Sequence, residues 1–282
     1  MKRSAAVLAL ILSLMMIFFP GCISIEIGTP SPSSSPSPSA SAAPSAEPGE
    51  GVEGFKKINP GDQYDLNGDG TMETIALITS SASAHYTICI GAYEYEDEAS
   101  DILTGDIYVA NLFEGDGKLE VFVYTPGPSD DPETYWYELN DGLISGLGLV
   151  PFSPGNMQMS GDGTVTGRAK AYFVQTFIYD AVYRLNESRI FFEDRPQYVD
   201  MDTDVTMLQQ LKASVGPDDG SAKNIIFIAG EKVTLKRVDL KDWLEIVSRD
   251  DPSKTGWVKV TDGFNIDGIN VYYIFDELVI AD

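Results

Sequence analysis

Asp65-Leu66-Asn67-Gly68-Asp69-Gly70-Thr71-Met72-Glu73 places oxygen-bearing side chains at alternate positions and runs into an apolar segment, Thr74-Ile75-Ala76-Leu77-Ile78. Alternation lets a short segment wrap one ion with its side chains pointing inward. Calcium takes about six to eight oxygen ligands, so carboxylates, amides and carbonyls suit it. Asp65, Asn67 and Asp69 stand at positions one, three and five; Gly70 permits a sharp turn, Thr71 offers its carbonyl, and Glu73 sits at position nine. The expected ligand set for Ca2+ is therefore Asp65, Asn67, Asp69, Thr71 and Glu73. The affinity expected of such an extracellular loop is weak, with a Kd of about 10⁻⁴ M. The alternative is a tight Asx-rich turn that holds itself together without metal.

The centre of this loop recurs. Gly-Asp-Gly stands at 68–70, 115–117 and 161–163, with Asp-to-Asp spacings of 47 and 46. Each copy precedes a strand pattern: residues 74–78, 118–124 and 164–169. Aromatic, strand-like segments follow at 85–90, 134–139 and 172–183, and Asn140-Asp141-Gly142 is a hairpin turn signal. A fixed period with turn and strand in each copy is the mark of a stacked β-repeat. The expected fold is all-β, with three or four antiparallel strands per repeat. A helical period is confined to Val205, Leu208 and Leu211, which predict one short helix.

The later copies carry fewer ligands. Counted back from Asp116, position one is Leu112 and position three Glu114; with one inserted residue they are Asn111 and Phe113. Glu114, Asp116 and Glu120 form a candidate second metal set. The third copy offers Gln158, Ser160 and Asp162 with Thr166 at nine, which predicts a turn. Asp200, Asp202 and Asp204 alternate without the turn glycine and predict a polar strand face.

These repeats resemble the FG-GAP and VCBS-type repeats of bacterial surface proteins, over about 62–200. That resemblance implies propeller blades opened by a calcium loop. Closed propellers need about four blades, so three copies imply an incomplete, propeller-like fold of about three blade-like units. Further on, Gly230-Glu231-Lys232-Val233-Thr234-Leu235, Trp243 and Gly256-Trp257-Val258-Lys259-Val260 are similar to the opening strand, central Trp and closing strand of a bacterial SH3-like barrel. The whole arrangement resembles lipoproteins of Gram-positive, clostridium-like bacteria that join calcium-loop repeats to such a barrel.

The N-terminus carries Lys2 and Arg3, an apolar run from Ser4 to Phe19, and then Gly21-Cys22. This resembles a bacterial lipoprotein signal, which implies removal of 1–21 and lipidation of Cys22. Residues 31–48 are almost only Pro, Ser and Ala, a composition that buries no apolar surface and stays extended. The expected organisation is a signal peptide at 1–21, a disordered tether at 22–54, a β-repeat domain at 55–215 and an SH3-like domain at 221–282. Localisation follows: the extracellular face of the cytoplasmic membrane, through a lipid anchor. With Cys22 lipidated, no disulfide forms between the two cysteines, and Cys89 reads as a buried small hydrophobe.

The formal net charge of −24 leaves no basic surface for displacing phosphate counterions, so nucleic acid is not an expected partner. Motifs for zinc hydrolysis, a nucleophile elbow or phosphate binding are missing from the sequence. A His-dependent triad would have to use His85, the single histidine. Candidate ligand contacts are Ser129, Asp130 and Asp131 in the polar loop after Gly127-Pro128, and Trp243 and Trp257 as a peptide or glycan groove. Their bland readings are a Pro-Ser-Asp turn and a barrel core. The expected function is calcium binding in a binding or structural module at the cell envelope, with cell-wall glycan or an envelope protein as partner. The alternatives are a carboxylate-dependent wall or glycan hydrolase and a pure scaffold.

Overall fold

In the strand Glu120–Thr125, Val121 and Val123 turn to one side and Phe122 to the other, yet all three are fully buried. A strand with two buried faces must lie between two other layers. The computed structural model, which describes residues 54–80 and 83–280, shows what those layers are. The signal, Cys22 and the tether up to residue 53 lie outside the described residues, as does the Asp130 side chain.

Three antiparallel sheets follow one another along the chain. The first has the strands Gln63–Tyr64, Glu73–Thr79, His85–Ile90 and Tyr93–Glu98. The second has Ile107–Ala110, Glu120–Thr125, Glu133–Asn140 and Leu143–Val150, with Phe55–Lys57 added beside Ile107–Ala110. The third has Met157–Met159, Thr164–Phe173, Gln175–Leu185 and Phe191–Glu193. Each Gly-Asp-Gly joins the first two strands of its own meander. The all-β class expected from the repeats is what forms, and one antiparallel sheet curls into a half-barrel. Among the described residues there are three 3-10 turns and no α-helix.

The second sheet is the middle layer. Val121, Val123, Tyr135 and Tyr137 pack with Tyr86, Ile88 and Ile90 of the first sheet. Phe122, Trp136 and Leu147 pack with Val165, Ala169 and Ala181 of the third. Phe122 and Trp136 are fully buried with ring centroids 4.5 Å apart, and Tyr108 stacks on Phe122 at 4.7 Å. Truncating either fully buried ring would cost about 3–5 kcal/mol.

A seven-stranded sheet closes the described chain, and its composition corrects two expectations. Val199–Met207 pairs with Lys232–Val238 and with Phe275–Asp276, so the sheet takes a strand from well before the expected boundary at 215–221. Val199, Met201, Val205 and Met207 point into its core. The helix expected around Val205, Leu208 and Leu211 does not form: Val205 lies in that strand and Leu211 in Leu211–Ala213. Alternate apolar residues on a paired strand outweighed the short helical period. The third sheet also reaches into this core. Phe173, Val174 and Phe177, at the tip of its long hairpin, are buried there, and Val174 N–H donates to Gly263 O at 2.7 Å.

Candidate functional site

Both glycines of every Gly-Asp-Gly lie in the left-handed region: Gly68 and Gly70 at φ 75° and 85°, Gly115 and Gly117 at 87° and 74°, Gly161 and Gly163 at 72° and 83°. Only glycine takes that conformation without a steric cost. The aspartate between them accepts the N–H two residues on: Thr71 to Asp69 at 2.7 Å, Lys118 to Asp116 at 2.9 Å, Thr164 to Asp162 at 3.0 Å. The triplet thus recurs because the backbone of the turn requires it. The loops also touch in sequence. Leu119 N–H donates to Leu66 O at 3.0 Å, and Gly163 N–H to Leu112 O at 2.9 Å. A Cβ on Gly68 would stand 2.8 Å from Gly117 O.

The first loop is built around Asp65. Its carboxylate accepts N–H bonds from Gly68 at 2.8 Å, Asp69 at 3.1 Å and Gly70 at 2.8 Å. Asn67 and Asp69 bond each other. Glu73 accepts from Leu66 N–H at 3.0 Å. Asp65 and Glu73 are buried. Burial pushes the Glu73 carboxyl above its ordinary range; the Leu66 N–H opposes this, and the charges of Asp69 and Asp65 add to it. Hydrogen bonds from Thr71 and Asn67 hold Asp69 below its ordinary range. Among the described residues no Lys, Arg or His forms an ion pair with Asp65, Asp69 or Glu73. Nor do three Asp, Glu, His or Cys side chains converge as a metal centre among the described residues. Asp65 is turned onto backbone N–H groups instead.

The second loop repeats this frame with one inserted residue. Leu112 N–H donates to Glu120 at 3.1 Å, as Leu66 does to Glu73. Position one is therefore Asn111, not Leu112, and Glu120 is the counterpart of Glu73. The expected set Glu114, Asp116 and Glu120 is not brought together. Glu114 is exposed, with its side chain against Gly161, and Asp116 caps Lys118. Glu120, 1% exposed, faces Arg189, whose Nη2 lies 3.2 Å from Glu120 and 2.6 Å from Glu138. Arg189 comes from the turn before Phe191–Glu193 and is held at φ 56°, an uncommon conformation for a side-chain-bearing residue. Burial still dominates. It lifts Glu120 to about 7, with the Leu112 N–H and Arg189 opposing and Asp116 and Glu138 adding repulsion. One guanidinium is shared by two carboxylates. Asn111 Oδ1 and Arg189 Nε are buried there without a hydrogen-bond partner among the described residues.

The third loop has no acid at position nine. Arg184 lies 4.0 Å from Asp162 and donates to Thr164 Oγ1 at 2.8 Å. Of the three loops, the second and third meet an arginine, and the first forms no ion pair among the described residues. Arg189 and Arg184 left no trace in the spacing of the sequence, because each meets its loop only through strand pairing.

The remaining candidates fall apart by burial. Trp257 is 6% exposed, under Tyr198 at 5.0 Å and the Arg237 guanidinium at 5.5 Å, so it belongs to packing and not to a ligand platform. Trp243 is half-buried with Lys259 over its ring at 5.9 Å. Asp202 pairs with Lys236 and Asp204 with Arg249, a polar strand face as expected. His85 is exposed beside Glu98 on the first sheet, and Cys89 is buried in it. Ser129 sits at φ 57° in a 3-10 turn and gives its carbonyl to Lys170 Nζ at 2.7 Å. Asp131 closes the turn through its backbone, its N–H donating to Pro128 O at 3.2 Å, while its carboxylate leaves the turn and takes Lys170 at 3.0 Å and the Tyr172 hydroxyl at 2.8 Å. Asp131, Lys170 and Tyr172 edge a cavity of about 390 Å³ that is also lined by Arg168 and Glu133.

Compared with protein-family models, curated proteins and solved structures, the chain matches none.

Proposed function

We propose that this chain is a lipid-anchored, extracellular binding module of the cell envelope whose first Gly-Asp-Gly loop takes calcium. On this reading the three meander sheets are blade-like units of an open, propeller-like repeat, and the C-terminal sheet is an SH3-like barrel. The anchor rests on Gly21-Cys22 and the Pro/Ser tether that follows. Cys22→Ala should move the protein from the membrane fraction to the medium; unchanged fractionation, with no labelled fatty acid in the native form, would remove the anchor from this reading.

One observation carries the calcium reading. Glu73 and Glu120 hold the same place in the same frame, and Glu120 is answered by Arg189, while Glu73 forms no ion pair among the described residues and has the charges of Asp69 and Asp65 added to it. A buried carboxylate among like charges is costly, and a bound cation turns that repulsion into attraction. The donors are all oxygen, which suits a hard ion such as Ca2+. Asp65 and Glu73 would hold it, with Asn67, Asp69 and the Thr71 carbonyl. Its role is structural, since it ties the turn to the first sheet. Titration calorimetry of the folded protein should show one weak calcium site, and Asp69→Ala should abolish it. Absence of heat in the wild type, with no effect of chelator on melting, would leave an Asx-rich turn.

A further inference from the structure

The strand Thr164–Phe173 turns Ala169, Ala171 and Phe173 inward and leaves Arg168, Lys170 and Tyr172 on its other face. That face floors the 390 Å³ cavity, a size within the roughly 300–1,000 Å³ that holds small molecules. The loop carrying Asp131, Pro132 and Glu133 forms one wall, and the turn with Ser153 and Asn156 forms another. Lys170 is spent on Asp131 and on the Ser129 carbonyl. Arg168 is not. The five other described arginines all pair with a carboxylate: Arg184 with Asp194, Arg189 with Glu120, Arg195 with Glu193, Arg237 with Glu245 and Arg249 with Asp204. Arg168 makes no ion pair or side-chain hydrogen bond among the described residues, although Asp180 stands directly across on the neighbouring strand. In a chain of net charge −24, an unmatched guanidinium at the floor of a cavity is the exception that asks for a ligand.

We propose that this cavity binds a saccharide bearing a carboxylate, with Arg168 as the residue that recognises the acid. A guanidinium offers paired N–H donors that match a carboxylate. Tyr124 and Tyr172 present rings, and Pro132 and Pro151 apolar faces, against which the C–H faces of a sugar ring can lie. Ser153, Asn156 and Glu133 supply partners for ring hydroxyls. An acidic peptide shares the carboxylate but not the flat C–H faces that these rings fit. The proposal rests on the reading of the chain as a binding module and not on calcium.

The test uses the soluble protein without its anchor residue and a short oligogalacturonate as probe, followed by calorimetry. The carboxyl-reduced, neutral oligomer and glutarate serve as comparators. The acidic oligomer should bind. The neutral oligomer and glutarate should each bind at least tenfold more weakly, because each lacks one half of the recognition. Arg168→Gln should weaken the acidic oligomer by roughly tenfold or more, as loss of a charged hydrogen-bonding partner does. Arg168→Lys should retain part of the affinity, and the melting temperature of both variants should match wild type because the side chain is exposed. Failure of the acidic oligomer to bind, equal binding of the neutral one, or indifference to Arg168→Gln overturns the proposal. Sedimentation with insoluble cell-wall material separates the two readings. Wall binding that survives Arg168→Gln keeps the binding module and rejects this cavity; binding of neither the wall nor the acidic oligomer by the wild type rejects the cavity and removes glycan from that reading.

Discussion

The first and second Gly-Asp-Gly loops share a turn, a pair of left-handed glycines and a buried glutamate that accepts the N–H of a leucine seven or eight residues before it. They differ in what answers that glutamate. In the second loop an arginine arrives from about seventy residues away (Arg189 to Glu120) and the position-one acid is replaced by Asn111. In the first, Asp65 and Asp69 add their charges to Glu73 and no cationic side chain is paired with them among the described residues. On the calcium reading proposed above, a loop of this design has two ways to carry a buried carboxylate: import a guanidinium, or take an ion. The first is permanent and needs a tertiary contact. The second depends on the medium.

The sharpest way to break this comparison is to remove the imported cation. Arg189→Met leaves Glu120 and Glu138 buried without their shared partner, and breaking a buried pair from one side costs about 3–5 kcal/mol. Urea unfolding at pH 8 should show a loss of that order. The loss should shrink at pH 5, where Glu120 is protonated in the fold and has less need of the arginine. Adding Glu120→Gln to Arg189→Met should restore part of the stability at pH 8. A loss below about 1 kcal/mol at pH 8 would mean that the ion pair is ornamental and the comparison empty.

The second prediction concerns Glu120 alone. Its folded value of about 7 lies above the ordinary 4.5, so between those values the unfolded chain gives up its proton while the fold keeps it. The unfolded state then binds fewer protons, and stability falls as pH rises from about 4.5 to 7. The drop is at most a few kcal/mol, set by the displacement of the carboxyl. Glu120→Gln should flatten that slope, as followed by melting between pH 5 and pH 8. An unchanged slope would place the titration elsewhere.

The periodic parts of this molecule were legible because they are local. Gly-Asp-Gly announces a turn whose hydrogen bonds span two residues, and the alternation of Val121, Phe122 and Val123 announces a strand. The alignment of the second loop was ambiguous, because one inserted residue shifts position one from Leu112 to Asn111 without changing the triplet; only the N–H bond to Glu120 decides it. Long-range pairing was not legible. Val199–Met207 carries alternating Asp and apolar residues that fit a repeat as well as a C-terminal sheet, and its partner strand begins at Lys232. Nothing in the spacing of the sequence marks Arg189 or Arg168. What makes them distinctive is what stands beside them, or fails to. Trp257 shows the converse: the aromatic was conspicuous, but the covering Tyr198 and Arg237 were not.

The smallest expected effect belongs to the first loop, and it is the one that depends on the medium. At calcium about ten times a Kd near 10⁻⁴ M, binding to the fold alone adds RT ln(1 + [Ca2+]/Kd), roughly 1.4 kcal/mol. Chelation should therefore lower the melting temperature by only a few degrees. The pH dependence carries a definite sign. Glu73 must be ionised to bind, and its carboxyl is held above the ordinary range by burial and by Asp69 and Asp65. The calcium shift should therefore be full at high pH and fade as pH falls through that raised value, with protons released on binding. Without calcium the sign reverses, and ionising Glu73 alone costs stability as pH rises. Glu73→Gln should erase the calcium shift while leaving the chelated protein as stable as wild type or more so. Glu120→Gln and Asp162→Ala should keep it, since neither belongs to the first loop. If Glu73→Gln keeps the shift, the ion is not held by the first loop's glutamate; if Glu120→Gln loses it, the ion sits in the second loop and the arginine is not its substitute.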